Sequence, residues 1–287
     1  MTQHHEVEFL DTHQHLIYRQ KAGYSWTDDV PALAGKEFPL SLYQELTRDK
    51  GVKATIFMES GANDPDYQRE VHMVAELAKD PASNILGIIA SCRVENNEGF
   101  DAWLEQCSDL AVVAFRGLLH SLTKENVQSP VSIANAKKIG RQGLVFDLCG
   151  PLEQMPNAAE LVHACPDTYF MLDHCGVPDI AGDDWEEWKH GLDLLAGLPN
   201  VACKISGVTA YCGTRPVTLE TIRPYMDYVA EAFGTSRLVW GSDWPVVDVG
   251  KGIGAWIDMS RAWLAGFSPE EQRAIASDNA MRLYKVS

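Results

Sequence analysis

The run Val7-Glu8-Phe9-Leu10-Asp11-Thr12 passes directly into His13-Gln14-His15. An extended, largely apolar segment that stops abruptly at ionisable residues is the unit from which the fold is read. The same unit recurs. Strand-like runs are expected at Val7–Thr12, Ala54–Met58, Ile85–Ser91, Ala111–Gly117, Leu144–Leu148, Tyr169–Asp173, Val201–Ile205 and Leu238–Gly241. They are apolar without strict alternation, as strands covered on both faces are. Helical patterns lie between them, at Leu40–Lys50, Asp66–Lys79, Phe100–Cys107, Val131–Arg141, Pro151–Ala164, Trp185–Leu198, Leu219–Phe233 and Gly252–Ala265. A last helix is expected over Ser268–Tyr284, because Ser268-Pro269-Glu270-Glu271 is an N-cap followed by Pro at the first helical position and Glu at the third. Eight such βα units predict an α/β fold, a (β/α)8 TIM barrel with an extra C-terminal helix, as one domain over residues 1–287. A doubly wound sheet is disfavoured, since no GxGxxG turn follows an early strand. The long stretch Tyr18–Pro39 is read as either a substrate lid or a packed surface loop.

Barrel chemistry sits at the C-terminal ends of the strands. Those ends here carry His13 and His15, Glu59, Arg116 with His120 shortly after, Asp147, Asp173-His174, Lys204, and Trp240-Gly241-Ser242-Asp243-Trp244-Pro245. Scattered surface charge would not fall at nearly every strand end. His13 and His15 are two apart on an extended segment, so both imidazoles can face one cavity and share a metal or a substrate carbonyl.

The Asp-Thr-His-Gln-His start, Leu172-Asp173-His174-Cys175-Gly176 and Trp240-to-Pro245 together resemble the amidohydrolase superfamily. The likeness is to the amidohydrolase-2 group, which includes sugar lactonases and 2-pyrone-4,6-dicarboxylate lactonases. Phe115-Arg116-Gly117, Phe146-Asp147-Leu148 and Ser277-Asp278-Asn279-Ala280 extend the likeness along nearly the whole chain. The resemblance implies a lactone-opening hydrolase of carbohydrate metabolism acting on a small molecule. Superfamily members with two metals bridge them with a carbamylated lysine at the end of strand 4 and use a histidine at the end of strand 5. Arg116 stands at the first place and Asp147 or Cys149 at the second, so the resemblance implies one divalent metal, zinc or manganese, or none.

The ligand set it allows is His13, His15 and Glu59 or His174, with Asp243. Asp243 is the expected general base, and His174 and Arg116 join it as catalytic candidates. Asp147, Trp26, His120 and Trp244 are expected to contact substrate, Asp147 alternatively to orient a neighbour, and Asp11 to orient a histidine. Arg116 is alternatively a clamp for a substrate carboxylate. Competing readings are a metal-dependent decarboxylase, a lactone isomerase, and a sugar-binding barrel without activity.

The remaining sequence narrows partners. Lys plus Arg number 24 against 40 Asp plus Glu, a formal charge of −16, which disfavours nucleic acid and anionic membrane surfaces. The chain is 46% hydrophobic, too much for disorder. Seven cysteines without a CxxC pair are read as buried, reduced thiols. No secretory segment or membrane span is expected, so the site of action is taken as cytoplasmic. His4 and His5 are expected to be exposed. A homo-oligomer is left open.

Overall fold

The computed structural model describes residues 7–182 and 184–287; His4 and His5 lie outside them. Eight parallel strands follow one another around a single sheet in sequence order: β1 (Phe9–Gln14), β2 (Val52–Met58), β3 (Ile85–Ser91), β4 (Val112–Leu118), β5 (Val145–Cys149), β6 (Tyr169–Leu172), β7 (Val201–Ile205) and β8 (Leu238–Trp240). The sheet nearly closes. Past the end of β8, Gln14 bridges Trp244 and the Asp243 N–H donates to the His13 carbonyl at 2.9 Å. The expected TIM barrel is the fold observed.

The inward face explains both stability and the placing of the site. Leu10, Ile56, Ile89, Ala114, Val145, Met171, Ala202 and Val239, one from each strand, form the apolar floor of the barrel. Side chains two residues on share that face. Ala114 therefore leads to Arg116 and Leu118, Val145 to Asp147 and Cys149, Met171 to Asp173, and Ala202 to Lys204 and Ser206. The interior thus changes from apolar to polar or charged toward the C-terminal ends of these strands.

The outer layer is helical. The eight barrel helices match their expected segments to within a few residues, except that Pro151–Ala164 begins with a 3-10 turn at Leu152–Gln154 before the α-helix Met155–His163. The C-terminal segment keeps its capping box, with Ser268 and Glu271 bonded reciprocally, but it is not one α-helix. A π-turn over Ala274–Asp278 separates Pro269–Arg273 from Asn279–Tyr284. That offset lets Ala280, Leu283, Tyr284 and Val286 plug the N-terminal end of the barrel, where Asn279 bonds the Leu238 carbonyl.

All seven cysteines are buried and free. Among the described residues no helix is long and apolar enough to cross a membrane.

Candidate active site

The chain leaves β6 and β8 through unusual backbone. His174, Cys175 and Val177 after β6, and Asp243 after β8, hold φ between +51° and +58°, a left-handed region costly for side chains with a Cβ. Such strain gathers at functional sites. Its effect here is to turn His174 and Asp243 inward over His13. The His13 ring lies 4.4 Å from that of His174, tilted by 53°, and meets His15 edge-on at 4.8 Å.

Hydrogen bonds assign the ring tautomers. His15 Nδ1 meets the Glu59 carbonyl at 2.9 Å, and a carbonyl only accepts, so Nδ1 carries the proton. In the neutral ring, Nε2 then turns a lone pair toward Asp243 Oδ1, 3.4 Å away. Two acceptors face each other, an arrangement that calls for a cation or a proton between them. Neither ring nitrogen of His13 has a hydrogen-bond partner; Nε2 is 3.7 Å from Asp243 Oδ1 and Nδ1 is 3.5 Å from Asp173 Oδ1. Burial holds His13 well below the usual imidazole range, so it is neutral. Asp243 Oδ2 is buried without a partner.

His174 differs. Arg116 Nη2 reaches its Nε2 at 3.3 Å and can only donate, so Nδ1–H donates to Ser206 Oγ at 3.0 Å. Burial pushes its pKa down to about 4, the neutral state that this pattern requires.

Beneath lies a paired layer. Lys204 is fully buried and donates to Asp147 at 2.7 Å and to the Thr12 carbonyl at 3.1 Å, with Asp173 Oδ1 at 3.1 Å. Tyr284 of the C-terminal plug donates to Asp147 at 2.9 Å. Burial raises Asp147 to about 6 despite Lys204. For Asp173 the neighbouring Lys204, His13 and Arg116 outweigh burial and hold the carboxyl well below its usual range.

Above lies a cavity of about 450 Å³, lined by His15, Trp26, Ser60, Gly61, Arg116, Leu118, His120, Cys149, His174, Tyr211, Asp243 and Val246. Its volume is within the range of small-molecule sites, ~300–1,000 Å³. The sequence model of the amidohydrolase family matches residues 10–286. The chain belongs to the amidohydrolase family. An L-fucono-1,5-lactonase of Burkholderia ambifaria is 26% identical over 285 residues, covering 96% of this chain and 95% of that protein. An uncharacterised protein of Sinorhizobium fredii is 35% identical over 150 residues, 52% of this chain and 50% of its own length. A crystal structure of an amidohydrolase from Burkholderia multivorans with bound zinc shares the fold, with a TM-score of 0.86 at 24% identity over 98% of this chain and 100% of that one. By family the chain is an enzyme of the hydrolase type.

In this amidohydrolase His13, His15, Arg116, His174 and Asp243 come together, and Trp26 and His120 line the cavity above them. Trp26 is held by its Nε1–H on the Ser60 carbonyl at 2.9 Å. Its loop is closed at the base by the Ile17–Phe38 bridge and packed through Tyr24, Leu33 and Phe38, so it is a fixed wall.

Three expectations need correction. Glu59 is not among the donors gathered around Asp243; its oxygens hold Arg116 at 3.0 Å and the Gly61 N–H at 2.9 Å. Asp147 does not reach substrate, because Lys204 and Tyr284 take its carboxylate below the cavity. Trp244 is fully buried against Phe38 and Tyr43. Asp11 holds His13 as expected, though through backbone: it accepts from the His13 and Ser242 N–H groups and the Tyr43 hydroxyl, and so fastens β1 to the loop after β8. Sequence reasoning gave no role to Lys204, Asp173 or Tyr211. Counting by twos from Ala202 and Met171 finds the first two. Tyr211 stands on the 3-10 turn Val208–Cys212, which has no period to read.

Proposed function

We propose that this enzyme opens a small neutral lactone, a sugar aldonolactone, with Asp243 as general base. The observation that carries the reading is the unpartnered Asp243 oxygen, buried at the cavity floor among three imidazoles. Its αL backbone and contacts with His13 and His15 aim the carboxylate at a water on that floor. Asp243 takes a proton from this water, and the oxygen bonds to the lactone carbonyl carbon. The tetrahedral oxyanion collapses, the ring C–O bond breaks, and the proton on Asp243 passes to the leaving ring oxygen. His174 is not set up to deliver that proton, since it is neutral and both its nitrogens are engaged. Tyr211 lines the cavity and is kept a neutral phenol by burial and by Asp243, so its O–H donates to substrate oxygen.

The donor set fits one divalent ion, zinc or manganese. Among the described buried groups at the barrel's C-terminal end, the carboxylates Glu59, Asp147, Asp173 and Asp243 outnumber the cations Arg116 and Lys204, and Nε2 of both His13 and His15 lies within 3.7 Å of Asp243 Oδ1. His13, His15 and Asp243 would hold the ion. The donor atoms of His13, His174 and Asp243 lie within 4.8 Å of one another, but the His174 lone pair is taken by Arg116, which leaves the third place to His15, whose Nε2 is 3.4 Å from Asp243. When bound, such an ion supplies Lewis acidity and lowers the pKa of its water.

The substrate is read as neutral because Arg116, the cation on the cavity wall, is already matched by Glu59 and Asp173. Burial keeps His120 below its usual range, so it adds no charge. Likeness to L-fucono-1,5-lactonase supports the sugar class. The test is a panel of 1,4- and 1,5-aldonolactones assayed by acid release, with 2-pyrone-4,6-dicarboxylate and aromatic acids as controls. Turnover of neutral lactones is expected. Release of CO2 from an aromatic acid with no lactone opening would replace this reading with decarboxylation, and tight binding without turnover would leave a sugar-binding barrel.

A further inference from the structure

One buried carboxyl takes no part in the lactone chemistry. Glu70 stands in the first turn of the helix Tyr67–Ala78, on the face that also buries Val71, Val74 and Ala75, and only 1% of it is exposed. A bare carboxylate in such a place is costly. Burial, reinforced by Glu59, accordingly lifts its pKa to about 8, so the group is a neutral acid at neutral pH. A neutral carboxyl has one oxygen that accepts and one hydroxyl that donates. Oε2 accepts the Ser60 N–H at 3.0 Å. The proton therefore belongs on Oε1, which is buried beside the equally buried Tyr24 hydroxyl, neither of them having a hydrogen-bond partner.

The importance of Glu70 lies in what Ser60 holds. Every polar group of this residue is engaged, each by a different segment. Its N–H goes to Glu70. Its Oγ accepts the Leu16 N–H at 3.2 Å and donates to the Leu16 carbonyl at 3.0 Å, one residue past His15. Its carbonyl accepts the Trp26 indole N–H at 2.9 Å. Gly61, with φ of +66°, leaves room for that indole, since a Cβ there would stand 2.8 Å from Trp26 Nε1. Trp26, Ser60 and Gly61 line the catalytic cavity, and Glu70 does not.

We propose that Glu70 is a positioning residue for substrate: its carboxyl fixes Ser60, and through Ser60 the Trp26 indole, as the wall against which the substrate ring seats. The identity of that ring rests on the lactone reading; the fixing of Trp26 does not. An indole face matches the C–H face of a sugar ring. This contact is made alike in the ground and transition states, so loosening it raises KM and leaves kcat nearly unchanged.

The test compares Glu70→Met, which fills the space without an acceptor, with Glu70→Gln, whose carboxamide still accepts through oxygen and donates through nitrogen. Two readouts are taken: kinetics on the aldonolactone that wild type opens fastest, and the Trp26 indole N–H signal in the NMR spectrum, assigned with Trp26→Phe. Glu70→Met is expected to raise KM about tenfold, the scale of one lost aromatic contact, with kcat nearly unchanged. Its indole signal should shift and exchange faster with solvent. Glu70→Gln should match wild type in both readouts. An unchanged indole signal in Glu70→Met overturns the proposal. So does a loss of kcat at constant KM, which would put Glu70 in the chemistry instead. A Glu70→Gln enzyme as impaired as Glu70→Met overturns it too, since the neutral donor–acceptor pair would then not be the working form. If wild type opens no lactone, the lactone reading falls, and the indole signal alone decides this inference. Should Glu70→Met not fold, Glu70→Asp, one methylene short of the Ser60 N–H, takes its place with the same expectations.

Discussion

At the mouth of the barrel His13 and Asp243 are buried with polar atoms that have no hydrogen-bond partner, and Asp243 sits on left-handed backbone. One layer below, Asp147, Lys204 and Tyr284 are just as buried, yet they bond to one another at 2.7 and 2.9 Å and sit on regular strands or helix. Asp173 joins the two, touching Lys204 on one side and His13 on the other. Removing a charge from water is costly unless partners replace the water. Complete pairing therefore marks the lower layer as structural. The withheld pairing above marks groups kept for substrate, water or metal.

Four variants would sharpen or break this contrast. The largest effect is expected for Asp243→Asn, which keeps the shape and removes the base: kcat for lactone opening should fall about 10²–10⁴-fold, with Tm unchanged or raised. Near wild-type turnover would end the general-base assignment. Next is Gly207→Ala. Gly207 has φ of +70°, and a Cβ there would stand 2.6 Å from His174 Nδ1 and 2.9 Å from Asp243 Oδ2. Displacing these groups should cost on the order of 10²-fold in kcat/KM, and unchanged kinetics would show that the upper cluster tolerates disorder.

Lys204→Met tests the lower layer. It leaves Asp147 and Asp173 without the cation between them, Arg116 and Tyr284 being their remaining partners, which should cost about 3–5 kcal/mol and lower Tm by roughly 10 °C, with a smaller loss of kcat than Asp243→Asn. A wild-type melting curve would show that the paired layer does not support the barrel.

The smallest effect concerns Glu70, buried beside Tyr24 under the Trp26 loop. Burial, reinforced by Glu59, lifts its carboxyl from 4.5 to about 8. Because the folded pKa is the higher, the folded state holds the proton after the unfolded chain has released it. This contribution is complete below pH 4.5, declines as pH rises, and is gone above about 8. Glu70→Gln removes the decline, so its Tm advantage over wild type should grow by a few degrees from pH 5 to pH 8. A constant difference would mean that Glu70 is ionised in the fold.

The strands were legible because each is an apolar run closed by a charged residue, and β3 and β7 begin and end where expected. The C-terminal helix was legible only at its start. Ser268 and Glu271 act locally, whereas the π-turn at Ala274–Asp278 answers to the barrel floor that it lets Tyr284 reach. Within the site, His13, His15, His174 and Asp243 stood out by type and position. Glu59 and Asp147 were misread for one reason: a carboxylate at a strand end looks alike in sequence whether it faces a cavity or a buried cation.

The recurrence of apolar runs and the residue types that close them therefore determined the eight-stranded barrel and the end at which its chemistry sits, since both follow from what lies along each strand. Only the tertiary structure decided which of those ionisable groups are paired. Glu59 and Arg116 lie 57 residues apart and meet at 3.0 Å, as Asp147 and Lys204, also 57 apart, meet at 2.7 Å. Contacts of that separation arise from barrel closure, and they leave Asp243 with a free oxygen while satisfying Asp147 completely.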